Sequence, residues 1–278
     1  MADPATLLDG ELGTVARTTD PADIEAYSLD GWRPTVVIFP SSQEEASQVL
    51  RAAERRGMPV VPWGSGSKQG LGYPPSQAGA VVCTSRLAGI PDYDPENLTV
   101  TALAGTTLTS LQEIVRARGQ KAPLDPPYAD TATIGGILAA NSSGPHRLLY
   151  GAPRDLALGL RAVLPDGRAI RVGGKTVKNV AGYDLTKLFV GSLGTLGLVV
   201  EATLKLRPLP EEERTVVLHC RSLEHAGDVA RRVLGSADLI PAALELLDER
   251  ATALIGGRLG LALGSGPVLV VALEGFSE

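Results

Sequence analysis

The chain has 278 residues, 44% hydrophobic and 21% charged, the balance of a globular protein with an ample core. A net charge of −5 and 4% aromatics exclude a nucleic-acid binder that works by phosphate neutralisation or base stacking. No run approaches the ~18 apolar residues of a membrane span, and Asp3, Asp9 and Glu11 stand where a signal peptide needs basic and then apolar residues, so a cytoplasmic protein is expected.

Residues 1–33 read as a short amphipathic lead-in without chemistry. Thr35-Val36-Val37-Ile38-Phe39 is a β-branched run closed by Pro40 and reads as a buried strand. Ser42 with Glu45 forms a capping box that opens a helix bearing Ala46, Val49, Leu50 and Ala53 on one face and ending at Gly57. Pro59-Val60-Val61-Pro62 is a second short strand, so strand, helix and strand predict a parallel pair.

That strand runs into Trp63-Gly64-Ser65-Gly66-Ser67-Lys68-Gln69-Gly70. The spacing G-x-G-x-x-x-G departs from the dinucleotide fingerprint G-x-G-x-x-G, and Pro74 and Pro75 stop any long helix after it. The loop has what a phosphate cradle needs, namely small residues with converging amides, two serine hydroxyls and the Lys68 cation. By spacing alone, a plain glycine-rich connector fits it equally.

Residues 81–84 and 98–102 read as strands joined by a polar connection, and residues 108–118 as a helix with Leu111, Ile114 and Val115 on one side and Gly119 as its stop. Ile134 to Ala140 is a short helix behind Thr133, with Gly135 and Gly136 in its first turn; its amides and positive dipole end suit an anion. Pro165-Asp166-Gly167 is a hairpin turn between strands at 160–164 and 169–172. Gly173-Gly174-Lys175-Thr176 fails as a P-loop because its first glycine would fall on Ala169. Residues 185–190 make a helical turn or two before the loop Gly191-Ser192-Leu193-Gly194-Thr195-Leu196-Gly197, and residues 198–206 form a long strand.

Glu211-Glu212-Glu213 reads as a solvated linker. Beyond Arg214 come a strand, a helix at 223–234, a strand at 242–247 and a strand at 268–273, the first four elements of a split β-α-β layer. If residues 268–273 lie at an open edge, that edge is a sticky site that further chain or a partner must cover. Cys83 and Cys220 lack metal-like spacing and read as buried thiols; His146, His219 and His225 form no ligand pattern, so no metal is expected.

Three segments in this order, residues 62–70, residues 125–144 followed by Tyr150-Gly151, and Lys178-Asn179-Val180-Ala181-Gly182-Tyr183-Asp184-Leu185 leading into residues 191–201, make the chain resemble the vanillyl-alcohol oxidase type of flavoprotein. The resemblance implies an α+β fold. A PCMH-type FAD-binding domain of two α+β subdomains would occupy 34–209 (about 34–93 and 94–209), followed by a short, incomplete ferredoxin-like cap at 210–278. Within the superfamily the chain looks most like the FAD-binding (E-type) subunit of bacterial glycolate oxidase. The related D-type catalytic subunit usually reads GSEGTLG at the third loop, where this chain has Leu193.

By that resemblance FAD would be held by Pro62, Trp63, Gly64, Ser65, Gly66, Ser67 and Lys68 around the pyrophosphate. Thr131, Thr133, Gly135 and Gly136 would follow the ribityl arm, with Asn141, Ser142 and Ser143 near it or the isoalloxazine edge; Gly194, Gly197, Leu198 and Val199 would line the adenine and ribose. No histidine lies in the first loop, so FAD is expected to be non-covalent. The implied role is to carry electrons in oxidation of a small 2-hydroxy acid, beside a D-type catalytic flavoprotein and an iron–sulfur subunit, cytoplasmic or peripheral at the inner membrane through those partners. A self-sufficient 2-hydroxy-acid dehydrogenase and an assembly scaffold without flavin are the alternatives; glycines that serve no ligand would cost stability, which counts against the scaffold. No catalytic base is assigned; Arg154, Lys175 and Lys178 are candidate cations near the flavin, but each reads more readily as a structural or solvated charge.

Overall fold

The computed structural model describes residues 11–174 and 183–275. Lys175, Lys178 and the motif residues 178–182 therefore lie outside the described residues. The chain divides into two compact units, one of Met1–Ser142 with Ala152–Arg207, the other of Ser143–Gly151 with Pro208–Glu278.

The first unit holds a four-stranded and a five-stranded sheet. Strands β1 (Ala16–Thr18), β2 (Val36–Phe39), β3 (Val60–Trp63) and β4 (Ala80–Cys83) form the first, in the order β1-β2-β4-β3. Between β2 and β3 runs helix α1 (Gln43–Arg55), whose N-cap Ser42 Oγ accepts from Glu45 N at 3.1 Å while Glu45 Oε2 accepts from Ser41 N at 2.7 Å. The expected parallel strands are present, but β4 lies between β2 and β3 and pairs parallel with both. All four residues of β4 are buried, so it takes the centre, whereas Pro62 has no N–H to give a second neighbour and suits an edge. The lead-in stretch supplies β1, antiparallel to β2, and places Leu12 and Val15 in the core.

Strands β5 (Asp92–Asp94), β6 (Thr99–Leu103), β7 (Ala157–Val163), β8 (Ala169–Gly173) and β9 (Leu198–Lys205) make an antiparallel sheet in the order β5-β6-β9-β7-β8. The connection read as merely polar contains β5, a hairpin partner of β6. Helices α2 (Leu108–Arg116) and α3 (Ile134–Ala140) bury Leu111, Val115, Ile134, Ile137 and Leu138 in one cluster with Val100, Ala102, Leu160 and Leu204 of this sheet. A second cluster joins Val36, Ile38 and Val49 of the first sheet side to Val163, Leu198 and Val200 of the second.

The second unit has strands β10 (Glu212–His219), β11 (Pro241–Leu247) and β12 (Val268–Gly275) in the order β10-β12-β11, all neighbours antiparallel. This corrects two expectations. Glu212 and Glu213 are the first residues of β10 rather than a linker, and β12 is the central strand, flanked on both sides, with β10 and β11 at the edges. Helix α4 (Leu223–Leu234) sets Ala226, Val229, Ala230 and Val233 against Leu218, Leu244, Leu269 and Val271. Helix α5 (Glu249–Leu259), which the sequence reading lacked, starts at Asp248, whose Oδ1 accepts from Ala251 N at 2.7 Å, and stops at Gly260 with φ +65°. It buries only Thr252 and Gly256, which is why its apolar periodicity is faint.

Candidate cofactor site

Strands β3 and β4 end side by side, and the loop after β3 opens a cleft at their carboxyl ends, where parallel sheets usually hold ligands. Three loops line it: residues 61–69 with Leu71, the first turn and end of α3, and the segment Leu193, Gly194, Gly197, Leu198 and Val199. Of the residues expected to hold a cofactor, Pro62, Trp63, Gly64, Ser65, Gly66, Ser67, Lys68, Thr133, Gly135, Gly136, Gly194, Gly197, Leu198 and Val199 all line this one cleft.

Four are placed elsewhere. Thr131 is exposed and bonds back to Tyr128 O at 3.1 Å through its amide. Asn141 ends α3 in the left-handed region (φ 46°), with its Oδ1 accepting from Arg154 N at 3.1 Å. Ser142 is buried and donates its amide to Ile137 O, and Ser143 belongs to the second unit. The cleft wall also includes Gln69, Thr84, Ala132, Ile137, Ala139 and Ala140, which the sequence did not single out. Thr84 follows β4 directly and its Oγ1 donates to Trp63 O at 3.2 Å; the rule about carboxyl ends of parallel strands points to it once β4 is known to adjoin β3.

Of the two donor sets expected, the start of α3 and the loop 62–68, only the loop keeps unused amides among the described residues. The first amides of α3 are already used, Ile134 N by Thr106 O, Gly135 N by Ala104 O at 2.8 Å and Gly136 N by Thr133 Oγ1 at 3.3 Å, so the helix end offers no free anion site. By contrast, the amides of Ser65, Gly66, Ser67 and Lys68 make no hydrogen bond among the described residues. Lys68 Nζ reaches Ser67 Oγ at 3.3 Å and Pro127 O at 3.5 Å, and Ser65 Oγ lies 3.3 Å from Ser67 Oγ. Lys68 is the one charged residue on the described cleft wall, and burial pushes its ammonium below the usual lysine range. A desolvated cation beside unused amides and hydroxyls, with no carboxylate lining the wall, fits the diphosphate of a dinucleotide.

The glycines themselves tell less about a ligand than their density suggested. A Cβ on Gly64 would strike Thr133 Oγ1, one on Gly66 would lie 2.7 Å from the Trp63 ring, one on Gly135 2.7 Å from Ala104 Cβ, and one on Gly194 2.8 Å from Pro62 Cγ. The chain's own packing requires them, so they do not speak against a scaffold. Leu193, in the left-handed region at φ 55° and 49% exposed, lines the cleft. Trp63, 8% exposed, lines the cleft and packs against Tyr27 with ring centroids 5.1 Å apart and planes tilted by 58°.

Arg154 is exposed and enters the site's architecture through its amide, while His219 and His225 are exposed outside the cleft. Among the described residues no cluster of histidine, cysteine or acids could hold a metal ion, and no helix is long and apolar enough to cross a membrane.

A family profile described as an FAD binding domain matches residues 34–173, and one described as the C-terminal domain of FAD linked oxidases matches residues 209–278. The chain is similar to glycolate oxidase subunit GlcD of Bacillus subtilis, with 38% identity over 247 residues, covering 88% of this chain and 52% of that protein. It is 33% identical over 280 residues to D-lactate dehydrogenase of Archaeoglobus fulgidus, covering 96% and 62%. Against glycolate oxidase subunit GlcE of Escherichia coli K12 it shows 41% identity over 170 residues, covering 61% and 48%. The chain thus spans about half the length of these curated relatives. Among solved structures, an alkyldihydroxyacetonephosphate synthase superposes with TM-score 0.77 at 20% identity, covering 99% of this chain and 55% of that one, a likeness of fold.

Proposed function

Since the chain belongs to the FAD-linked oxidases, a family of FAD-dependent oxidoreductases, we propose that it is the FAD-carrying, E-type subunit of a complex that oxidises glycolate or a related 2-hydroxy acid. A D-type catalytic flavoprotein and an iron–sulfur subunit are its proposed partners. The observation that carries the flavin reading is the chemistry of the cleft wall: one ammonium, Lys68, with unused amides and the hydroxyls of Ser65 and Ser67; the E-type assignment rests on the resemblance at Leu193, which lines the same wall. When bound, FAD supplies the acceptor of the substrate's electrons; the chain's residues bind and orient it. Ser65, Ser67, Lys68 and the amides of residues 65–68 hold the diphosphate, and Trp63 walls the cleft.

A self-sufficient 2-hydroxy-acid dehydrogenase is the second reading, favoured by the similarity to D-lactate dehydrogenase along nearly the whole chain. The visible spectrum of the purified chain under anaerobic glycolate or D-lactate separates the two. Flavin bands that bleach only after D-type and iron–sulfur subunits are added support the carrier. Bleaching by substrate alone supports the second reading, and a chain without flavin uptake overturns both.

The loop at residues 62–70 contains no histidine or cysteine, and Cys83, whose Sγ lies 3.8 Å from Gly64 O, is buried. The flavin is therefore expected to leave the chain on acid denaturation. Yellow colour that stays with the precipitated polypeptide contradicts non-covalent binding.

A further inference from the structure

The segment Ser143–Gly151 leaves the first unit and returns to it, yet packs as part of the second. Its neck is closed inside the first unit, where Asn141 Oδ1 accepts from Arg154 N at 3.1 Å and so pins a residue two positions before the excursion to one three positions after it. Its helical turn Arg147–Tyr150 packs on β11. There the Tyr150 hydroxyl donates to Glu274 Oε2, and His146 Nε2 lies 3.6 Å from Glu274 Oε1. The Glu274 side chain is only 6% exposed, and its strand neighbour across β10 is Glu213, a like charge. A buried carboxylate opposite another acid needs donors, and the excursion brings them. Asn141 is also the stop residue of α3, whose Gly135, Gly136, Ile137, Ala139 and Ala140 line the cleft.

We propose that Ser143–Gly151 is a tie between the cofactor cleft and the C-terminal unit, with Glu274 as its anchor, and that capture of the tie and occupancy of the cleft stabilise each other. Glu274, Tyr150 and His146 are positioning residues in this scheme. None of the three lines the described cleft; they hold the chain that leads straight out of α3. Linkage makes the effect reciprocal: whatever loosens the anchor loosens the ligand by the same factor as the ligand tightens the anchor. The inference rests on the flavin reading above, since the ligand used to probe it is FAD.

Arg147 is exposed within the tie and is a trypsin site. The test compares its cleavage rate, with and without FAD, in the wild-type chain, Glu274→Gln and Tyr150→Phe, beside FAD affinity measured by quenching of flavin fluorescence. Expected are slower Arg147 cleavage in wild type when FAD is present, faster cleavage in both variants, and FAD affinity lowered by about 5-fold or more, the low end of coupling between linked sites. Tyr150→Phe removes one hydroxyl and guards against general unfolding, which an unchanged thermal transition excludes. Unchanged cleavage in both variants, or faster cleavage with unchanged FAD affinity, overturns the proposal. A wild-type chain that takes up no FAD overturns the flavin reading and the coupling with it, so the two failures are told apart.

Discussion

Lys68→Met is expected to weaken FAD binding about 10- to 100-fold, the loss of about 1.5–3 kcal/mol for a hydrogen bond to a charged group. Lys68 is the one charged group on the described cleft wall, and its ammonium is held below the usual lysine range by burial. That cause sets two signs. The charge that binds an anion is present at lower pH and is lost as pH rises through the depressed value, so FAD affinity should fall toward alkaline pH, beginning before an ordinary lysine would titrate. The flavin-free chain behaves oppositely. Its unfolded state holds the proton more tightly than its folded state, so Lys68 costs stability below its folded value and the cost fades as pH rises. Lys68→Met should therefore make the flavin-free chain slightly more stable while it binds less FAD, and should flatten the alkaline fall in affinity. Flavin titration from neutral to alkaline pH, with thermal melts of the flavin-free protein, checks all three. A variant that binds FAD as wild type does removes Lys68 from the site.

Gly64→Ala is expected to lower the stability of the first unit by about 1–3 kcal/mol, as overpacking does, and to weaken flavin binding with it. The added methyl would collide with Thr133 Oγ1. Thr133 cannot simply turn away, because that same oxygen accepts from Gly136 N and caps α3. The collision thus presses the first cleft loop against the helix that forms the opposite wall. Thr133→Ala alone should cost about 1 kcal/mol as a lost N-cap. Combined with Gly64→Ala it should cost less than the sum, because the struck oxygen is gone. Denaturant melts of the four proteins measure this; additive losses would mean that the two loops do not meet as described.

The sequence disclosed what local chemistry decides. Ser42 and Thr133 marked two helix starts, Gly57 and Gly119 two stops, and Pro165-Asp166-Gly167 a hairpin, because each signal acts within a few residues. Hidden were the features decided by distant chain. The three residues of β1 have too short a pattern to announce a strand and become one only against Val37, Ile38 and Phe39. The place of β4 between β2 and β3 depends on its complete burial, which local composition shares with other strands. The cleft showed the same division. Its loops could be named from glycine, serine and lysine, but the amides of α3 proved to be occupied by carbonyls of Ala104 and Thr106, some thirty residues away in sequence. That leaves the irregular loop 65–68, whose amides make no other bond among the described residues, as the proposed anion site.

The cluster that joins Val36, Ile38 and Val49 to Val163, Leu198 and Val200 bears on how this unit comes apart. Its members are separated by more than a hundred residues of chain, and the last of them lie on β9, the strand at the middle of the second sheet. During synthesis the first sheet must wait for β9 to emerge before its apolar face is fully covered, so an early-released or truncated chain would show that face to chaperones and proteases. With that cluster closed, the two sheets are expected to melt in one event rather than two, and a ligand bound at the ends of β3 and β4 is expected to delay the loss of both.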